Sequence, residues 1–262
     1  MGDVIVITSG KGGVGKTTCT ANLGFGLAKQ GFRVVLVDMD QGLRNLDVVL
    51  GLEKELTFHL QDVLMHRCRL RQALIRDRRQ SGLHLLPAAS FLAEEGAFGE
   101  ELRLLTLELK EQFDYVLLDC PAGIGKGFED CIMSADRAIL VTEPEVSAIR
   151  DADKVLTILQ EKQFQQTELL VNRVHINLVK KGFMLSPEDV QEVLAVPLLG
   201  VIPEDEEVLI ALSDGEPVIN YSSDSGACFE NICKRLIGMN VPIGISYAKY
   251  GGFLRACSLF FR

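Results

Sequence analysis

The sequence predicts an α/β fold in which helices cover both faces of a doubly wound, mostly parallel β-sheet. Short, continuous apolar runs alternate with helical patterns along the chain, as expected for parallel strands that are buried on both faces. A glycine-rich loop follows the first of these runs, and aspartates end two later ones. In open parallel sheets ligands bind at the carboxyl ends of the strands, so these groups are predicted to meet at one edge.

The elements follow in order from the hydrophobic pattern. Apolar runs predict seven strands, at residues 4–9, 33–38, 83–88, 115–123 (a strand that runs into a loop), 137–142, 168–173 and 197–203. Helical periodicity predicts a helix over 17–30, which Gly31 closes, and a long charged amphipathic helix over 94–112. Because no linker or internal repeat interrupts this alternation, we expect one domain over 1–238 and a short C-terminal appendage.

Composition and charge argue against several classes of protein, among them membrane-spanning, disulfide-rich and strongly nucleic-acid-binding proteins. The 262 residues are 47% apolar, which is ample for a core, and the net charge of -9 argues against a surface that binds nucleic acid throughout. No apolar run approaches the roughly 20 residues that span a bilayer, and the first residues lead directly into a strand. We therefore expect a cytoplasmic protein. Seven cysteines without CxxC spacing favour reduced thiols over a disulfide framework or zinc site, and the four histidines show no ligand spacing.

The stretch "GKGGVGKT", Gly10 to Thr17, fits the phosphate-loop pattern G-x-x-x-x-G-K-[ST] and lies between a predicted strand and a predicted helix. Its glycines allow backbone N–H groups to turn toward phosphates, and the helix N-terminus adds the positive end of its dipole. Lys16 is placed to reach the β- and γ-phosphates, and the Thr17 hydroxyl is placed to bind Mg²⁺. The predicted fold is therefore of the P-loop NTPase type, with nucleotide phosphates and Mg²⁺ as its ligands.

Lys11 is a second lysine in the same loop, which a simple phosphate loop does not need. One interpretation is a solvated lysine on a flexible loop. The other is a lysine that reaches the nucleotide of a partner subunit, as an arginine finger does in trans.

Three aspartates are predicted at the ligand edge of the sheet. Asp38 and Asp40 end the second strand as "VDMD", and Asp119 ends another as "LLDCPAG". A single aspartate at a strand end is often only a cap or turn residue. Three of them beside a phosphate loop predict that one or more supports Mg²⁺ and that another orients the attacking water.

The stretches "KGGVGKTT", "VDMDQGLRNLD" and "DCPAG" together resemble the deviant Walker A ATPases of the MinD/ParA class. The stretches "PEVSAIRDADK", "GVIPEDEEV" and "GEPV" extend the resemblance to nearly the whole chain, and within the class they are most similar to its division-site-selection members. The resemblance implies an ATPase that is activated by dimerisation on ATP and that recruits a division inhibitor to place the septum.

The resemblance also implies site residues. Lys11, Lys16 and Asp40 would be catalytic, with Lys11 crossing to the other subunit of the ATP dimer and Asp40 positioning the hydrolytic water. The implied metal residues are Thr17, Asp38 and Asp119. The implied ATP-binding residues are Gly10, Lys11, Gly12, Gly13, Val14, Gly15, Lys16, Thr17, Thr18 and Asn172. Asn172 would face the adenine.

Partners are implied in the same way. Gly123, Asp151 and Asp153 match positions that the family uses for its dimer face and for a MinC-like division inhibitor, although "DAD" fits a solvated helix face equally well. A further implied partner is a MinE-like activator, or another topological factor that sets the position of the protein in the cell.

The last twelve residues have an amphipathic helical pattern. One side carries Phe253, Leu254, Cys257, Phe260 and Phe261. Such a helix lies in a membrane interface, although it can also dock on its own domain. The resemblance implies a membrane-targeting helix over 251–262 after a flexible tether over 239–250. The expected localisation is then peripheral and reversible, at the inner face of the cell membrane.

Two further functions remain open at this stage. A ParA-type partition ATPase would bind DNA, which the acidic charge does not favour. An FlhG-type ATPase for flagellar number or polar positioning shares the loop and a membrane helix, and it differs chiefly in its partners.

Overall fold

A computed structural model describes residues 1–40, 45–89, 99–164 and 166–243. Its strands are β1 Asp3–Thr8, β2 Val34–Asp38, β3 Ile75–Arg76, β4 Leu83–Leu86, β5 Tyr115–Asp119, β6 Arg137–Thr142, β7 Thr167–Val174 and β8 Leu198–Pro203. Its α-helices are α1 Lys16–Lys29, α2 Leu46–Val49, α3 Leu60–Leu64, α4 Leu70–Ala73, α5 Gly99–Gln112, α6 Lys126–Met133, α7 Val146–Glu161, α8 Ile176–Lys180, α9 Pro187–Leu194, α10 Glu206–Asp214 and α11 Asp224–Leu236.

The eight strands form one sheet in the order β3-β4-β2-β5-β1-β6-β7-β8. Every neighbouring pair is parallel except β3 and β4, which confirms the predicted mostly parallel α/β sheet. Strands β2 to β5 lie on one side of β1 in the sheet, and β6 to β8 lie on its other side, so the direction in which strands are added reverses after β5. The carboxyl ends of β1, β2 and β5 therefore meet where the winding reverses, which is the place where such sheets bind ligands.

The strands are buried on both faces because two hydrophobic clusters sandwich the sheet. Alternate residues of β1 divide between them: Val4 and Val6 pack with α5, α6, α7 and α9, whereas Ile5 and Ile7 pack with α1 and α11. This double burial explains why the strands appear in the sequence as continuous apolar runs instead of alternating ones.

Most predicted boundaries agree with the structure to within one residue, and the exceptions have local causes. The fourth predicted strand ends at Asp119, because the chain there turns into the ligand-side loop. The third ends at Leu86, since Pro87 lacks the N–H that a strand ladder uses. The two-residue strand β3 was not predicted, because two residues carry no periodicity. Residues 94–98 of the long predicted helix lie outside the described residues.

The tail predictions remain predictions, since residues 244–262 lie outside the described part of the chain. None of the described helices is long and apolar enough to cross a bilayer. The six cysteines among the described residues are free thiols.

Candidate nucleotide-binding site

Three loops meet at the carboxyl edge of the sheet, and backbone hydrogen bonds hold them together. The Met39 N–H, after β2, donates to the Asp119 carbonyl at 3.1 Å, and the Cys120 N–H donates to the carbonyl of Ile7 in β1 at 3.1 Å. The Gly123 N–H donates to the Ser9 carbonyl at 3.3 Å, which ties the loop after β5 to the start of the phosphate loop. The predicted site residues on these loops are therefore held next to one another at one edge of the sheet.

Two glycines of the phosphate loop need conformations that other residues rarely adopt. Gly13 and Gly15 have φ angles of 84° and 87°, in the left-handed region. Gly15 caps the N-terminus of α1, and a side chain there would also overlap the amide of Asn172. That amide donates to the carbonyl of Val14 at 2.8 Å. Asn172, predicted to face the adenine, is thus in direct contact with the phosphate loop.

Asn172 also borders a small cavity of about 60 Å³ behind the phosphate loop. Its other walls include Thr18, Pro203 and Phe229. The cavity lies beside α1 at the carboxyl edge of the sheet, which is called the nucleotide edge below. A nucleotide whose phosphates bind the phosphate loop would place its base near this cavity. The contact of Asn172 with adenine stays a prediction.

Gly10 brings the phosphate loop against α7. A Cβ added at Gly10 would overlap the backbone carbonyl of Asp151, whereas one added at Gly12 would approach nothing closer than the Ala122 Cβ at 3.9 Å. Asp151 itself pairs with Lys154 at 2.9 Å, and Asp153 is exposed on the same helix. The two aspartates predicted for partner contacts therefore lie on a helix that touches the phosphate loop directly.

The Asp119 carboxylate is the centre of a buried hydrogen-bond network. It accepts from the Thr17 hydroxyl at 2.7 Å and from the Thr20 hydroxyl at 3.0 Å, and the Lys16 Nζ lies 3.5 Å away. Burial lowers the pKa of Lys16, but Asp119 and other negative neighbours outweigh it and leave the pKa raised, so this lysine is charged. Thr20 was not predicted, yet its position three residues after Thr17 places both hydroxyls on one face of α1.

Asp38 lies directly opposite Asp119 in the paired strands β2 and β5. It is fully buried and accepts from the backbone N–H groups of Asp40 at 2.9 Å and Leu46 at 3.4 Å. Burial, and then the charge of Asp119, raise the pKa of Asp38. The half-buried Asp40 also has a raised pKa, because burial outweighs the opposing charge of Lys16. Among the described residues, Lys16 supplies the positive charge beside the carboxylates of Asp119 and Asp40.

This donor set fits Mg²⁺. Thr17, Asp38 and Asp119 supply hydroxyl and carboxylate oxygens, the hard ligands that Mg²⁺ takes directly or through water. The raised pKa of Asp38 indicates that the negative charge at this edge is incompletely compensated. A divalent cation bound there would lower the free-energy cost of burying this negative charge.

Lys11 extends to the start of α7. Its Nζ lies 3.3 Å from the carboxylate of Glu145 and 3.5 Å from the Ser147 hydroxyl. Both side chains of the ion pair are partly exposed, at 39% and 53%, so the pair is weak and can exchange. Glu145 was missed at the sequence level because 134 residues separate it from Lys11. The crossing of Lys11 to a second subunit stays a prediction.

The predicted membrane residues Phe253, Leu254, Cys257, Phe260 and Phe261 lie outside the described residues. Nothing in the structure tests their role.

Comparisons with known proteins agree with this geometry. Residues 2–173 match the family model described as an AAA domain. The septum site-determining protein MinD of Synechocystis sp. is 46% identical over 92% of this chain and 92% of its own length. In the MinC:MinD cell division protein complex of Aquifex aeolicus, one chain matches with a TM-score of 0.86 and 41% identity, over 93% of this chain and 98% of that one.

A septum site-determining protein MinD from Pyrococcus horikoshii, complexed with Mg-ADP, matches with a TM-score of 0.82 and 33% identity, over 91% of this chain and 97% of that one. ParA-family, plasmid-partition and McdA structures are only 19–21% identical and show the shared fold alone.

The contact between Gly10 and α7 gives a test with an internal control. Gly10→Ala should lower the free energy of unfolding by about 1–3 kcal/mol, as overpacking does, and should weaken ADP binding because the loop must shift. Gly12→Ala should stay within about 0.5 kcal/mol of the wild type. Urea denaturation and calorimetric titration with ADP and Mg²⁺ measure both. Equal effects of the two substitutions would contradict the contact.

The burial of Asp38 predicts a pH-dependent stability. The folded protein binds the Asp38 proton more tightly than the unfolded chain does, so this residue lowers the free energy of unfolding progressively as pH rises above about 4. In nucleotide-free protein without Mg²⁺, Asp38→Asn should therefore gain stability relative to the wild type between about pH 4 and pH 8. Urea denaturation at a series of pH values measures the difference. Parallel pH curves for the two proteins would exclude this role.

Proposed function

The chain belongs to the MinD family of septum site-determining proteins, and from this membership we propose that it is a membrane switch driven by ATP. In this proposal ATP binding causes two subunits to dimerise. The dimer binds the membrane through its two C-terminal helices, and a MinC-like inhibitor of division binds the dimer. Hydrolysis separates the subunits and ends all three contacts. Family membership and the complete phosphate site support ATP hydrolysis, and the second loop lysine, held beside Glu145, carries the dimer proposal.

The chemistry assigned to the site is Mg²⁺-dependent ATP hydrolysis. Lys16 and the N-terminus of α1 bind the phosphates, while Thr17, Asp38 and Asp119 hold the cation. Bound Mg²⁺ neutralises charge on the phosphate oxygens. Asp40, half-buried near Lys16, is assigned to orient the attacking water. Positioning and electrostatic stabilisation supply most of the catalysis in such reactions.

Dimerisation is proposed to use Lys11. The contact with Glu145 is exposed and weak, so a nucleotide phosphate of a second subunit competes well for this ammonium. The transfer would complete the charge compensation at the partner's phosphates, as an arginine finger does. Catalysis would then depend on dimer formation, which explains a second lysine that the chain's own phosphate loop does not need.

Partner binding is proposed to use the exposed side of α7. The Aquifex relative is described in complex with MinC, and a MinC-like inhibitor is the partner proposed for this chain. Asp151 and Asp153 would belong to its binding surface, and Gly123 would contribute to the dimer face. A MinE-like activator would act on the same ATP-bound dimer, where it would shorten the lifetime of the membrane state.

Membrane attachment is proposed to depend on subunit number. A single short anchor binds a bilayer only marginally, and stable attachment takes two signals. In the dimer the second tail arrives at a high effective concentration. The peripheral, reversible position at the inner face of the cell membrane follows from this arrangement.

Two substitutions at the site should have opposite effects on the dimer. Lys11→Ala should abolish ATP-dependent dimerisation but leave ATP binding to the monomer, because Lys16 and the loop glycines remain. Asp40→Ala should keep the ATP dimer and lose turnover. Light scattering with ATP and phosphate release measure the two properties. A normal ATP dimer of Lys11→Ala, or normal turnover of Asp40→Ala, would refute the corresponding assignment.

Removal of the tail tests the membrane proposal. A chain stopped before Gly251 should hydrolyse ATP and dimerise but should lose sedimentation with phosphatidylglycerol vesicles, which the full chain should show with ATP and not with ADP. Duplex DNA in place of vesicles is the matched control. ATP-dependent sedimentation with DNA and none with vesicles would replace the proposal with a partition ATPase.

A further inference from the structure

The Arg235 side chain, in the last turn of α11, joins two distant parts of the chain. Its Nε donates to the Leu199 carbonyl, near the beginning of β8, at 2.6 Å. Its Nη1 donates to the carbonyls of Pro242 at 2.8 Å and Val241 at 3.3 Å. One guanidinium thus connects the sheet to the segment that leads into the C-terminal tail.

A glycine in β8 leaves room for the Arg235 contact. Gly200 follows Leu199, and a side chain there would overlap Ile232 and approach the Arg235 Nη2 to 3.2 Å. The absence of that side chain lets α11 and the guanidinium lie against β8. All three of these hydrogen bonds go to backbone carbonyls, and the planar fork of an arginine can reach several at once. Lysine, with a single nitrogen, cannot reproduce the arrangement.

The end of α11 directs the chain back to this contact. Gly238 has a φ of 83°, its N–H donates to the Arg235 carbonyl at 2.9 Å, and the Met239 N–H donates to the Lys234 carbonyl at 2.9 Å. This left-handed glycine turn ends the helix and reverses the chain. The next residues then pass beside Arg235.

The contact also lies at an edge of the sheet. β8 is the last strand in the order of the described sheet, so it has a strand partner on one side only. An exposed edge can pair with other chains unless it is covered or capped. Arg235 caps one of its carbonyls and places residues 241–242 next to its beginning.

We propose that Arg235 is a positioning residue that fixes the point where the C-terminal segment leaves the domain. The predicted tether over 239–250 is then held to the domain as far as Pro242. The consequence for function rests on the membrane proposal above: with less free tether, the second tail of a dimer stays at a higher effective concentration near the bilayer. Effective concentration falls roughly as the −3/2 power of tether length. Release of the contact, which lengthens the tether from 243–250 to 239–250, should therefore weaken dimer attachment about twofold.

The first experiment tests the contact in the full chain. Proteinase K cleavage within residues 239–243, followed by mass spectrometry, should be several-fold faster in Arg235→Gln than in the wild type. Arg235→Lys, which keeps the charge but loses the fork, should be intermediate. Lys234→Gln removes a neighbouring charge of the same sign and should cleave at the wild-type rate. A wild-type cleavage rate in Arg235→Gln, or equal acceleration in Lys234→Gln, would overturn the proposal.

The second experiment tests the positioning role. With ATP, Arg235→Gln should bind phosphatidylglycerol vesicles about twofold more weakly than the wild type, while its ATP affinity and its dimerisation in solution stay unchanged. Faster cleavage together with unchanged vesicle binding would show that the contact does not set attachment, and would refute the role. If the wild type itself fails to bind vesicles, the membrane proposal fails, and the cleavage experiment alone decides whether the contact exists.

Discussion

The buried carboxylate of Asp119 is the interaction on which the site depends. It joins the end of β5 to the phosphate loop and to α1, because Lys16, Thr17 and Thr20 all direct polar groups at it. A buried charge without such partners costs several kcal/mol. Asp38 lies opposite in the neighbouring strand, and one lysine cannot compensate both carboxylates. The edge is therefore built with an excess of negative charge, which a bound Mg²⁺ would reduce.

The same edge places the phosphate loop in direct contact with α7. Gly10 presses the start of the phosphate loop onto the backbone of this helix, and Lys11 reaches Glu145 just before it. A rearrangement of the loop thus changes contacts at the helix assigned to partner binding. Because binding linkage is reciprocal, a partner that prefers one position of α7 must also change the affinity for ATP. The coupling needs no long pathway, since the two elements are in direct contact.

The sequence revealed those parts of the site whose chemistry is local. The glycines of the phosphate loop, Lys16, and aspartates at strand ends could be predicted because each follows directly from a strand and a motif. Contacts between distant segments could not. Lys11 and Glu145 are 134 residues apart, and no local pattern near either one indicates the other. The contact of Arg235 with Leu199 and residues 241–242 depends on how α11 packs on β8, and β3 is too short to show a period.

The positions of the nucleotide edge and of Arg235 limit how ATP could control the proposed membrane attachment. Nucleotide phosphates are placed at the carboxyl edge of the sheet, whereas Arg235 fixes the start of the tail near the amino end of β8. A six-residue strand spans about 20 Å, so the contact of Arg235 with residues 241–242 lies roughly a strand's length from the nucleotide edge. Control through a shape change would have to travel along α1, which begins at the phosphate loop, and through its packing on α11 to reach Arg235, and elements packed this tightly do not deform gradually. The proposed control through the number of subunits needs no such transmission. In that proposal ATP would bring together two domains, each of which already holds residues 241–242 at a fixed point, and attachment would follow from the presence of two tails.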